Sequence, residues 1–228
     1  RIDYFISVDG AGFGTTTGAV GSHRYRVTYE GPGGHSYGAF GMPNPMHALG
    51  RAMAQIADFE VPTRPKTTFN VGVISGGTSV NSIPFSATMD VDLRSESQAE
   101  LDRADAMLQA AIQSALEAER RRWPASQRPL MVTVADLGKR PAGTQPDTAR
   151  IVRVALAAAA ALGSRTSTGI SSTDSNIPIS LGVPAITIDG GGRGAGSHSL
   201  TESYDDGDAG WRGPQWALLI VAALAGVR

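Results

Sequence analysis

Between Arg24 and Val134 the apolar residues pass through six segments of changing period, and this succession restricts the fold more than any other feature of the chain. From Arg24 to Tyr29 the period is two, with Tyr25, Val27 and Tyr29 on one face, as in a half-buried strand. Pro43 and Pro45 stand where a helix can start, and Met46, Leu49, Met53 and Ile56 follow at helical spacing until Pro62 and Pro65 close the segment. Thr68 to Ile74 and Ala87 to Arg94 alternate again. The second puts Ala87, Met89, Val91 and Leu93 inward and Thr88, Asp90, Asp92 and Arg94 outward. From about Ser97 to Arg122, Leu101, Leu108, Ile112 and Leu116 line one stripe of a long helix, and Leu130 to Val134 offers a last strand. Strand, helix, strand, strand, helix, strand is the pattern of a ferredoxin-like sheet with two helices on one face.

The flanks read differently. Tyr4 to Val8 is a strand, followed by a loop rich in Gly and Thr (Gly10 to Gly18) without apolar periodicity, where a domain crossover is expected. Beyond Gly138 helices and strands alternate, which is α/β grammar. Pro146 to Leu162 is an alanine-rich helix ended by Gly163, a short helix runs from near Ser172–Asp174 to Gly182, and Pro184 to Ile188 is a short buried strand. Trp216 to Val227 reads as a buried terminal helix, about half the ~20 residues a membrane span needs. The expected class is therefore α/β plus α+β, with an α/β portion in two segments, 1–21 and 135–228, around an inserted domain, 22–134.

Lys+Arg number 20 against Asp+Glu 21 in 228 residues, so no electrostatic footprint for phosphates exists; Arg120, Arg121 and Arg122 beside Trp123 are the densest basic run. Neither a nucleic acid nor a membrane is an expected partner. With 41% apolar and 18% charged residues the composition is that of a globular protein. There is no cysteine, so any metal must be held by His, Asp or Glu. The chain opens on Arg1 without a signal-peptide layout, as expected of a fragment or a processed chain, and its compartment is not legible.

Four histidines make a short list. His23 and His47 have no carboxylate beside them in sequence and are expected to be packing or surface residues. His35 lies in the turn Gly31–Pro32–Gly33–Gly34–His35–Ser36, a loop leading out of a strand, where catalytic groups are often carried. His198 follows the glycine run Gly190 to Gly196 just beyond the strand ending near Asp189. Asp9 ends the strand Tyr4 to Val8. Sites in α/β sheets form beyond the carboxyl ends of strands, and a carboxylate with an imidazole there is compatible with a shared zinc ion. Neither glycine run matches a P-loop or a dinucleotide fingerprint.

Gly33–Gly34–His35–Ser36, Asn44–Pro45, Gly76–Gly77–Thr78–Ser79–Val80–Asn81–Ser82–Ile83–Pro84 and Asp92–Leu93–Arg94 together resemble the lid or dimerisation domain of the dinuclear-zinc exopeptidases. That family includes glutamate carboxypeptidase, aminoacylase, succinyl-diaminopimelate desuccinylase and tripeptidase. The resemblance continues through Ser171–Asn176, Gly182–Pro184, the glycine run and His198–Ser199. It implies that Asp9 binds one zinc and His198 the other, and that His35, in dimeric members, reaches the partner's active site and polarises the scissile carbonyl. It further implies that Asn81 and Arg94 hold substrate, Arg94 pairing with a carboxylate, and that Ser172 contacts substrate. Read as structure alone, Asn81 caps a turn before Pro84, and Arg94 pairs with Asp90 or Asp92 on its own strand face.

The family's first half, with a His-x-Asp ligand pair, a bridging Asp and a Glu-Glu pair supplying the general base, has no counterpart in this sequence. The resemblance therefore implies a zinc-dependent metallopeptidase or amidohydrolase, using two zinc ions when intact, that cleaves the amide bond of a small peptide or N-acyl amino acid. This chain would be its carboxyl-terminal portion, inactive alone and homodimeric through the lid. Asp rather than Glu at residue 9 looks more like the aminopeptidase and tripeptidase branch. The competing expectation is a non-catalytic dimerisation module built on the ferredoxin-like domain.

Overall fold

A computed structural model describes residues 1–227. The chain forms two compact units, one of residues 1–21 and 140–228 and the other of residues 22–139.

In the unit of residues 22–139 the strands are β3 (Gly21–Glu30), β5 (Thr67–Gly76), β7 (Ser86–Ser95) and β8 (Met131–Arg140), in the spatial order β5-β7-β3-β8. Chain order one to four thus becomes two, three, one, four, which is the ferredoxin-like arrangement. β5 and β7 are antiparallel, with Thr67 opposite Ser95. The side-chain pairs Arg24–Asp92, Arg26–Asp90 and Thr28–Thr88 run in opposite directions along β3 and β7, so these two are antiparallel as well.

The helices α1 (Pro45–Ala57) and α2 (Gln98–Arg122) pack on each other and on β7. Asn44 starts α1 by accepting the Met46 N–H at 2.9 Å, with Pro45 at the first helical position where its missing N–H costs nothing. Leu49 and Ile56 of α1 meet Leu101, Leu108, Ile112 and Leu116 of α2 and the inward face of the sheet (Tyr25, Val27, Tyr29, Met89, Leu93) in one core. The Tyr29 hydroxyl donates to the Ile112 carbonyl at 2.8 Å, and burial pushes its pKa far above the ordinary phenol value.

Two strands differ from expectation. β5 carries a bulge at Gly72 between Val71 and Val73, which ends its simple alternation and leaves Val73 and Ile74 exposed. β8 extends to Arg140 rather than Val134; it is an edge strand whose residues from Ala135 onward are all exposed, so they show no alternation of buried and exposed positions.

In the other unit β1 (Phe5–Val8), β2 (Thr15–Ala19), β9 (Thr168–Ser171) and β10 (Ala185–Ile188) form a sheet in the order β1-β10-β2-β9. β1 is parallel to β10, β2 antiparallel to β10, and β9 parallel to β2. The Gly/Thr segment read as a loop is therefore in part a strand inside the sheet. Thr15 and Thr17 are buried, and Thr15 Oγ1 bonds Thr166 Oγ1 at 2.9 Å. β-Branched threonines suit a pleated strand, yet being polar they produce no hydrophobic alternation.

Helix α3 (Arg150–Ala161) starts later than expected, because residues 146–149 form a turn closed by the Ala149 N–H on the Pro146 carbonyl (2.8 Å). α4 (Asn176–Ser180) is a short helix preceded by a structured loop. The last helix, α5 (Arg212–Ala225), corrects the expectation of a buried terminal helix. Only the stripe Gly213, Trp216 and Ile220 is buried, whereas Leu218 is 67% and Val221 50% exposed. Trp216 stacks on Phe13 with ring centroids 5.4 Å apart and donates its indole N–H to the Ala155 carbonyl at 2.9 Å, tying α5 to α3. Among the described residues no helix is long and apolar enough to cross a membrane.

Candidate functional site

The short strands β4 (Gly34–His35) and β6 (Ser82–Ile83) pair antiparallel, Gly34 opposite Ile83 and His35 opposite Ser82. The ribbon continues with the Ser36 N–H on the Asn81 carbonyl at 2.9 Å. Two residues singled out in sequence, His35 and Asn81, thus lie on the two facing strands of one short ribbon, offset by one residue. Gly33 makes the turn possible: its φ is +64°, and a Cβ there would stand 2.5 Å from the ring of Phe85.

His35 is exposed, and its Nδ1 accepts the backbone N–H groups of Tyr37 (3.2 Å) and Gly38 (3.3 Å). A nitrogen that accepts two hydrogen bonds carries no hydrogen, so in the neutral ring the proton sits on Nε2, which makes no bond among the described residues. The imidazole therefore presents an N–H donor outward. The side-chain oxygen of Asn81 accepts from the Ser79 hydroxyl. Beside the ribbon lie a cavity of about 500 Å³ lined by Asn44, Met46, His47, Ser79, Val80 and Ser82, and another of about 280 Å³ lined in part by Ser36, Phe40 and Trp123.

Arg94 lies on β7 and donates from Nε to Asp92 at 2.7 Å, while Arg24 Nε reaches the other oxygen of Asp92 at 2.8 Å. The same-strand pairing considered for Arg94 is thus present. Arg26 forms a two-pronged pair with Asp90, at 2.8 and 2.7 Å, and holds that carboxyl below the usual aspartate range. His23 is buried and bonds Asp105 at 3.1 Å, as a packing histidine does. His47 is exposed, with Nδ1 3.9 Å from Glu119.

In the unit of residues 1–21 and 140–228, Asp9 follows β1 and Asp189 follows β10. Because these parallel strands pair Val8 with Ile188, the two aspartates come next to each other at the carboxyl end of the sheet. Asp189 escaped the sequence reading, although it repeats the signal that marked Asp9, an aspartate between an apolar strand and a glycine. Its carboxylate accepts the Gly14 N–H at 2.6 Å, an approach that only glycine allows, since a Cβ at residue 14 would stand 2.8 Å from the same oxygen.

His198 sits between β11 (Arg193–Ala195) and β12 (Ser203–Asp205), strands of a two-stranded hairpin. It has φ +63° and donates its backbone N–H to the Glu202 carboxylate at 3.2 Å. A non-glycine residue in this left-handed region is uncommon and persists only where its surroundings enforce it. Paired backbone bonds between Gly12 and Gly191, both 3.0 Å, tie the segment after Asp9 to the start of the loop leading to His198. No three His, Asp or Glu side chains gather into a metal-binding group among the described residues. Asp9 and His198 have suitable donor chemistry, but the ligand set within this chain does not make a metal centre by itself.

Ser172 is half-buried at the start of a loop whose neighbours are structural. Ser175 and Thr187 bond each other at 2.7 Å, and Thr187 bonds Thr173 at 2.8 Å. Asn176 accepts the Thr173 N–H and donates to the carbonyls of Val20 (2.8 Å) and Pro141 (3.0 Å). Three of the six residues of the motif Ser171–Asn176, Thr173, Ser175 and Asn176, thus belong to this network.

Residues 17–120 match the peptidase dimerisation domain family. No curated protein sequence matches the chain. Among solved structures, an aminopeptidase from Bacillus cereus is 18% identical with TM-score 0.77, and the match covers 98% of this chain and 57% of that one. A tripeptidase from Staphylococcus aureus is 16% identical with TM-score 0.73, covering 97% and 57%. A hydantoinase/carbamoylase family amidase from Burkholderia ambifaria is 18% identical with TM-score 0.65, covering 100% and 54%. The chain spans little more than half the length of these proteins. Residues 17–120 therefore match a peptidase dimerisation domain, within a chain whose fold is similar, over nearly its whole length, to that of an aminopeptidase, a tripeptidase and an amidase.

Proposed function

We propose that this chain is the lid-bearing, carboxyl-terminal portion of a zinc-dependent amide hydrolase that acts on a small peptide or N-acyl amino acid. The observation that carries the reading is the His35 imidazole, whose Nδ1 is engaged by two backbone amides so that Nε2–H faces outward from the ribbon that also carries Asn81. A neutral N–H donor held there stabilises negative charge developing on a carbonyl oxygen during attack on an amide. Asn81 and Arg94 bind and orient substrate, Arg94 after exchanging part of its bond to Asp92 for a substrate carboxylate, and Ser172 contacts substrate from the α/β unit. Asp9 and His198 each supply one ligand, the remaining ligands and the general base coming from residues outside this chain.

The dimerisation domain favours a homodimer, with His35 serving the site of the partner subunit. The test is hydrolysis of tripeptides and N-acyl amino acids by the full-length protein, with zinc removed and restored. Zinc-restored activity that falls in Asp9→Ala together with metal content supports the reading. A protein that never hydrolyses these substrates, yet dimerises, supports the non-catalytic module instead.

A further inference from the structure

Among the described residues Glu119 is the one carboxylate with no exposed surface, and two of its partners, Asn44 and Trp123, lead toward the loop that carries His35. Oε1 accepts the backbone N–H of Asn44 and the indole N–H of Trp123, both at 3.1 Å, and Oε2 accepts from Arg51 Nε at 3.2 Å. Asn44 is the residue at which the loop 36–44 enters α1. The Trp123 ring stands edge-on to Phe40, in the middle of that loop, with centroids 5.2 Å apart. The start of the loop is fixed by the Ser36–Asn81 bond and by the Ala39 N–H on the His35 carbonyl (2.8 Å). A carboxylate is taken out of water at considerable cost unless charge and hydrogen bonds compensate it. Glu119 lies on the buried face of helix α2, and it anchors the far end of the loop through Asn44 and its middle through Trp123.

We propose that Glu119 is a positioning residue for His35. Through Asn44 and through the Trp123–Phe40 contact it holds loop 36–44 where the Tyr37 and Gly38 amides engage Nδ1, and so keeps the imidazole in the Nε2–H form. The proposal rests on the function reading above in what this form is for, but not in how it is measured.

The test is the nitrogen NMR spectrum of the histidine-labelled protein at roughly pH 8, above the ordinary imidazole range, with the His35 signals identified by their loss in His35→Gln. The wild type is expected to show Nε2–H alone. Phe40→Ala removes a ring that is 76% exposed and leaves the core intact, and it is expected to give a mixture of both tautomers. Glu119→Ala should do the same, while Glu119→Gln, which keeps an oxygen for Asn44 and Trp123, should restore Nε2–H. In the full-length protein Phe40→Ala is expected to lower kcat about tenfold with KM little changed.

An unaltered Nε2–H tautomer in Phe40→Ala overturns the proposal, and because Phe40 is exposed this holds even if Glu119→Ala does not fold. If the tautomer responds but the wild type hydrolyses nothing, positioning stands and the function reading fails. If hydrolysis requires His35 but neither tautomer nor kcat responds to Phe40→Ala, the reverse holds.

Discussion

The backbone N–H of Ser36 donates to the carbonyl oxygen of Asn81 over 2.9 Å, and this bond ties the strand that carries His35 to a segment from a distant part of the sequence. The ribbon is only two residues long on each strand, so it depends on its turn. Gly33→Ala would force a side chain into the left-handed region and against Phe85. We expect it to destabilise the unit of residues 22–139 by about 1–3 kcal/mol, read as a lower urea midpoint, with Pro32→Ala much closer to wild type.

Asn176 satisfies the carbonyls of Val20 and Pro141 and the Thr173 N–H at once. Asn176→Ala leaves these three groups unpaired and should cost about 2–5 kcal/mol. Asn176→Asp keeps the acceptor for Thr173 but sets a carboxylate against two carbonyl oxygens, so it should be at least as damaging. Equal stability of wild type and Asn176→Asp in thermal unfolding would contradict this account.

Much of the domain around β3, β5, β7 and β8 was legible because its core residues alternate cleanly between face and face: Tyr25, Val27 and Tyr29, then Ala87 to Leu93. β2 was not, because its buried positions are two threonines, a glycine and one small alanine, whose burial depends on neighbouring strands and leaves no local pattern. The exposed side of α5 was misread for the opposite reason, since an all-apolar run cannot say which side is covered. At the candidate site, the glycines around His35 announced a turn. Asp189 was passed over although it stands like Asp9 at a strand end, and Glu119 was invisible because one glutamate before three arginines looks like a solvated helix end.

Asp90 has its carboxyl held below the ordinary value by the Arg26 guanidinium. A depressed folded-state pKa gives stability that is fully present above the unfolded aspartate value and is lost as pH falls through the folded value. Wild type should therefore be more stable than Asp90→Asn at neutral pH, the difference shrinking as pH falls below about 4. Urea midpoints of both proteins from pH 7 to pH 3, which should converge on the acid side, check the sign; a constant gap would refute it.

Strand β5 is an edge of its sheet, with Val73 and Ile74 exposed at 56% and 57%. Unpaired edges with apolar side chains are association surfaces. For the homodimer proposed above, Ile74→Lys should shift the protein from dimer toward monomer in light scattering at micromolar concentration, with its circular dichroism unchanged. A dimer as stable as wild type would move the interface elsewhere.

Steady-state hydrolysis by the full-length, zinc-loaded protein, comparing wild type with His35→Gln, tests the central claim most directly. An outward Nε2–H that stabilises the developing oxyanion predicts a fall in kcat of about 10²–10³-fold with little change in KM. Undiminished kcat in His35→Gln would contradict it.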